Sequence, residues 1–82
     1  MFKIIFTQRS VRDLNNIDQD TKQRLAEKLK EYSREPIKYA RKLIDPKIGT
    51  YRFRVGDYRI IFDIDNDNII ILRIGHRKEI YK

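Results

Sequence analysis

The chain has 82 residues, no cysteine, and 19 basic against 12 acidic side chains, a net charge of +7. That length predicts one domain over residues 1–82, near the smallest size at which a single apolar core folds unaided. The missing thiols exclude a disulfide framework or a thiolate metal site. The charge predicts a surface attractive to polyanions, nucleic acid first among them. With no signal peptide and no apolar run of membrane length, the expected setting is the cytoplasm, away from membranes.

The opening FKIIF, Phe2 to Phe6, reads as a short strand. Thr7 caps a first helix through its hydroxyl, and Val11, Leu14 and Ile17 give that helix one apolar edge. Asn15 and Asn16 end it. Asp18 then caps a second helix, with Asp20 in its electropositive first turn. Leu25, Ala26, Leu29 and Tyr32 form its expected buried stripe, and Lys22, Arg24, Glu27, Lys28, Lys30 and Glu31 its solvated side. Pro36 closes the helix. From Ile37 to Gly49 the pattern fits either a short helical turn or a packed loop.

The organising stretch follows, Thr50 to Asp65, TYRFRVGDYRIIFDID. Two alternating runs flank Gly56-Asp57, which predicts a hairpin with a two-residue turn. Val55 then pairs with Tyr58, Arg54 with Arg59, Phe53 with Ile60 and Arg52 with Ile61. Alternation sends Tyr51, Phe53, Val55, Tyr58, Ile60, Phe62 and Ile64 to one face, an apolar surface that must be covered. Arg52, Arg54 and Arg59 go to the other. Like charges directly opposite one another weaken a sheet, so this row is either an anion-binding face or a solvated one that happens to be basic.

Asp65-Asn66-Asp67-Asn68 is turn chemistry, and Ile69 to Ile74 a further strand. A strict two-residue loop would aim Arg73 at the core, at the cost of burying an arginine. A loop of three or five residues is therefore expected, with Ile70, Leu72 and Ile74 in the core and Arg73 and Arg77 beside the hairpin arginines. The fold class is α+β: β-α-α-β-β-β, a twisted antiparallel sheet with two N-terminal helices packed on one face. Ile61, Ile69 and Ile71 would then share the arginine face, covered either by a partner chain or by a loop or the tail of this one.

Little else carries chemistry. Asp63, Asp65 and Asp67 open like a calcium loop, but Asn68 stands where glycine is required and Ile74 where a bidentate glutamate should be. Cofactors and metals are therefore expected to play no part. A metal-free anion site remains, made of Arg52, Arg54, Arg59, Arg73 and Arg77, extended by Lys47 and Lys78. Arginine suits phosphate because it stays charged and binds bidentately. His76 could serve as a general acid or base, or as a structural hydrogen-bonder beside Gly75. Tyr81 could orient or protonate a reacting oxygen, stack on a base, or anchor the tail.

A strand, two helices, KL ahead of YRFRVGDYRIIF, an isoleucine-rich strand and a final IGHRKEIY together resemble the RelE/ParE superfamily of toxin–antitoxin toxins. The resemblance covers nearly the whole chain. It implies a RelE-like sheet-and-two-helix toxin neutralised by a small RelB-like antitoxin, as in a toxin–antitoxin heterotetramer, with Ile61, Ile69 and Ile71 as contacts. RelE-type members are ribosome-dependent endoribonucleases (mRNA interferases) that cut message in the ribosomal A site by metal-free 2′-hydroxyl attack.

By position, the resemblance makes Arg59 a phosphate-binding arginine, Arg77 the group acting on the leaving oxygen, and Tyr81 the tyrosine that positions the nucleotide. Arg52 and Arg54 fall where the family carries two lysines, one of them a proposed base. Arginine gives up its proton too reluctantly for that role. Arg52 and Arg54 would instead hold message and ribosomal RNA backbone. Arg59→Ala is expected to abolish cleavage and leave the fold intact. The alternatives are a ParE-like DNA gyrase inhibitor and a catalytically weak homologue that binds RNA or the ribosome.

Overall fold

The computed structural model describes residues 2–44 and 48–80. Nine elements follow in chain order: β1 (Lys3–Phe6), α1 (Gln8–Asn15), α2 (Gln19–Tyr32), α3 (Pro36–Tyr39), β2 (Arg41–Lys42), β3 (Tyr51–Val55), β4 (Tyr58–Asp65), β5 (Asn68–His76) and α4 (Arg77–Ile80). The strands form one sheet in the order β1-β5-β4-β3-β2. None of the described helices is long and apolar enough to cross a membrane.

Local chemistry sets the helix boundaries. Ser10 N donates to Thr7 Oγ1 at 3.2 Å, and the same hydroxyl donates to the Ile71 carbonyl at 2.7 Å, so one side chain caps α1 and ties it to β5. Asp18 caps α2 by accepting from Thr21 N at 3.0 Å and from the Thr21 hydroxyl at 2.7 Å. These bonds, the hydroxyl's first, hold its carboxyl below the ordinary carboxylate range. Pro36 opens α3 at a position that needs no N–H. That short helix is held by Tyr39, stacked on Tyr32 at 4.5 Å. The described residues of the 37–49 stretch thus include a helical turn followed by a two-residue strand.

The hairpin has the expected register, from Val55↔Tyr58 to Arg52↔Ile61 and on to Tyr51↔Phe62. Its apolar face meets α1 and α2. Leu25 and Leu29 pack against Phe53, Val55, Ile60, Phe62, Ile69, Ile71 and Ile74, with Leu14, Ile17 and Tyr32 around them. Phe53 and Phe62 stack at 4.2 Å in the middle. Ala26 and Val11, expected to be buried, are exposed.

Three expectations are corrected. The sheet is mixed, because β1 runs parallel to β5 (Lys3↔Asn68 to Phe6↔Ile71). The helices carry the chain across one face to the far side of the sheet, and the two hairpins return it to β1 heading the same way.

The loop after β4 has only two residues, Asn66 and Asp67, yet Arg73 stays out of the core. A β-bulge reconciles the two. Phe62 faces Ile71 while Ile61 faces Arg73, and Leu72 is the extra residue that reverses the alternation.

Because the two-residue loop pairs them with Ile64 and Phe62, Ile69 and Ile71 point into the helix-side core, fully buried, and cannot serve as exposed contacts for an antitoxin. Ile61 does lie on the arginine side, but the chain seals it. A Cβ at Gly49 would stand 2.5 Å from Ile61 Cγ2 and 3.0 Å from Leu72 Cδ1, so only glycine lets that backbone lie so close.

Candidate functional site

Arginines from three elements reach the two residues of the hairpin turn. Gly56 adopts a left-handed φ of +58°, which glycine bears without penalty. Arg59 of β4 folds back so that its Nη1 donates to the Gly56 carbonyl at 2.9 Å and to the Tyr58 carbonyl at 3.0 Å. Arg77, at the start of α4, donates its backbone N–H to the Asp57 carbonyl at 2.8 Å, and its Nε lies 3.6 Å from Asp57 Oδ1. Arg24 of α2 brings Nη2 to 2.8 Å from where a Cβ on Gly56 would stand. Arg54, exposed, sits directly opposite Arg59 in the β3–β4 register.

Three guanidinium groups therefore approach a turn whose own carboxylate is Asp57, and Arg54 stands exposed in the next strand pair. They are not equivalent. Arg59 is only 5% exposed, whereas the Arg77 side chain is 50% exposed. α4 accounts for the difference. Gly75 pairs with Arg59, and buried Ile80 lies 3.6 Å from where a Gly75 Cβ would be, so the helix roofs that row. Arg59 braces the turn from beneath and adds positive potential in a low-dielectric setting; Arg54 and Arg77 present charge to solvent.

Arg52 shares a row with Ile61 and Arg73. Arg73 itself turns to the sheet edge, where its Nε donates to Asp13 Oδ2 of α1 at 2.9 Å. It does not join the hairpin arginines.

His76 pairs with Tyr58, whose side chain is on the helix-covered face, and the two rings meet edge to face at 5.7 Å. Its Nδ1 accepts from Lys78 N at 3.1 Å. Together with Asp13, Asn16, Tyr58 and Glu79 it lines a pocket of about 240 Å³. His76 is therefore turned away from Arg54 and Arg59, with its ring nitrogen engaged by the backbone of Lys78. Lys78 is exposed. Lys47 and Tyr81 lie outside the described residues.

Arg24 is the residue that sequence reading missed. It occupies the wet side of α2, four residues after Asp20, which suggests an ordinary surface ion pair. No such pair forms among the described residues, and the guanidinium leans over Gly56. Nothing local to α2 marks that approach.

The fold and its arginine-lined turn define a small, strongly basic α+β domain. The family model described as the ParE toxin of type II toxin–antitoxin systems (parDE) matches residues 4–81, and the chain belongs to this RelE/ParE toxin family. Toxin RelE3 of Methanocaldococcus jannaschii is 34% identical over 83 residues, covering 96% of this chain and 94% of that one. Toxin RelG of Mycobacterium tuberculosis is 38% identical over 52 residues, a stretch that spans 61% of this chain and 60% of RelG. Among solved structures, the toxin–antitoxin complex RelBE2 of Mycobacterium tuberculosis contains a chain that superposes with a TM-score of 0.83 at 30% identity, covering 93% of this chain and 98% of that one.

Proposed function

We propose that this type II toxin is a ribosome-dependent endoribonuclease that cuts mRNA in the ribosomal A site without a metal. The observation that supports this most is that Arg59 and Arg77 meet at one turn with Arg54 directly opposite Arg59 in the register. Fixed guanidinium groups there match the charge that builds on a phosphorane-like transition state. The 2′-oxygen attacks the adjacent phosphorus and the bond to the 5′-oxygen breaks, leaving a 2′,3′-cyclic phosphate and a 5′-hydroxyl. Arg59 supplies charge from below, Arg54 holds the phosphate, and Arg77 faces the departing oxyanion.

Arg54 makes a poor base and His76 is on the other face, so neither is assigned the 2′-hydroxyl proton. Water accepts it and water returns one to the leaving oxygen, unless Tyr81 acts. The reaction then rests on positioning and electrostatics. A RelB-like antitoxin is the proposed partner. In place of the sealed isoleucines it would use the β1 edge, where no described strand pairs and where Ile5, Phe6 and Val11 are exposed.

A second reading, ParE-like inhibition of DNA gyrase, is favoured by the description of the matching family and by Arg59 Nη1 being occupied by the turn. One experiment separates the two. The purified chain is given ribosomes carrying message, naked RNA, and gyrase with supercoiled DNA. The nuclease reading expects cyclic-phosphate ends on ribosomal message, persisting when EDTA is added to ribosomes kept assembled, and lost in Arg54→Ala/Arg77→Ala. Intact message with poisoned gyrase would establish the rival.

A further inference from the structure

We propose that Arg24 and the exposed side of the Gly56–Asp57 turn form a second phosphodiester subsite, which grips a backbone phosphate flanking the scissile one. The proposal rests on the nuclease reading and adds a positioning residue to it.

Three observations carry it. First, Arg24 Nη2 stands 2.8 Å from the Cβ position of Gly56, so its charge is delivered to the turn from α2, the opposite side from Arg54. Second, Arg24 is exposed and makes no ion pair among the described residues, although Asp20 and Glu27 lie four and three residues away on the same helix. Its charge is therefore available to an incoming anion, whereas Arg73 is held by Asp13. Third, Gly56 presents no side chain, so backbone and guanidinium together leave a surface low enough for a phosphate to approach.

A single RNA strand spaces successive phosphates by several ångströms. A strand whose scissile phosphate lies against Arg54 and Arg77 would pass the tip of the turn next. Arg24 meets it there, bidentately, as arginine does with phosphate. It touches no reacting atom, so its contribution falls on binding and register.

The test is cleavage of message on programmed ribosomes over a range of salt concentrations, for the parent chain, Arg24→Gln and Arg24→Lys, with thermal melts of each. Arg24→Gln should raise KM about tenfold at low salt, the loss expected for one charge-assisted contact. It should leave kcat within about twofold and flatten the salt dependence of kcat/KM by about one phosphate's worth. Its melting should match the parent's. Arg24→Lys should recover most of the salt dependence, because the charge returns without the fork. If the parent cuts and Arg24→Gln has the parent's KM and salt slope, the subsite is wrong and the nuclease reading survives. If the parent leaves message intact, both fall together.

Discussion

Asp13 on α1 and Arg73 on β5 are joined through one carboxylate oxygen, Oδ2, which lies 2.9 Å from Arg73 Nε and 2.9 Å from the backbone nitrogen of Ile74. β1 ends level with Ile71, so beyond that point the edge of β5 has no strand to pair with. Asp13, with its side chain only 13% exposed, supplies the missing acceptor and pins α1 to the sheet. The same bond removes Arg73 from the anion site.

Asp13→Ala should therefore destabilise the fold markedly. It strands a mostly buried N–H and a half-buried guanidinium, a loss of about 2 kcal/mol or more, or roughly 10 °C in melting temperature for a domain of this size. Arg73→Gln should cost less, because Asp13 keeps its bond to Ile74. Thermal melts of the two variants check the order; equal losses would contradict the double role of Asp13.

Arg59 is part of the fold as well as of the proposed site. Its Nη1 serves two turn carbonyls and its side chain is buried, so Arg59→Ala should lower stability by about 1–3 kcal/mol in addition to abolishing cleavage. This revises the expectation that the substitution spares the fold. Denaturant titration beside the cleavage assay measures both effects. An Ala variant as stable as the parent would mean that the brace is energetically idle.

The two-residue loop after β4 makes a sharp contrast between neighbours. Ile71 is fully buried against Phe62, and Ile70 only half-buried on the other side. Ile71→Ala should cost about 2–5 kcal/mol, and Ile70→Ala much less. A loop of three or five residues would reverse the ranking, so paired thermal melts test the register directly.

Asp18 sets an acid limb on stability. Its bonds to Thr21, the hydroxyl's first, hold its folded pKa below the ordinary carboxylate range. A depressed carboxyl contributes stability that is full above its unfolded pKa, near 4, and is lost as pH falls through the folded value. In stability measured from pH 6 downward, Asp18→Ala should start lower and lose less over that acid range. A parallel curve would exclude the cap as its source.

Much of this protein was written locally. Thr7 and Asp18 announce the helix starts by side-chain chemistry that acts within three residues, and Gly56-Asp57 imposes the hairpin register that places Arg54 opposite Arg59. Alternation alone then separates the apolar side of that hairpin from its basic side. The tertiary structure decided what depends on residues distant in the chain. The two-residue loop put Ile69 and Ile71 in the core, and a one-residue bulge at Leu72 then turned Arg73 out of it. Gly49 closed over Ile61, Asp13 captured Arg73, and α4 roofed Arg59 while α2 brought Arg24 to the turn. Periodicity reports the neighbours a residue has along its own element. It is silent about an inserted residue that costs little, or a guanidinium whose partner lies thirty or sixty positions away.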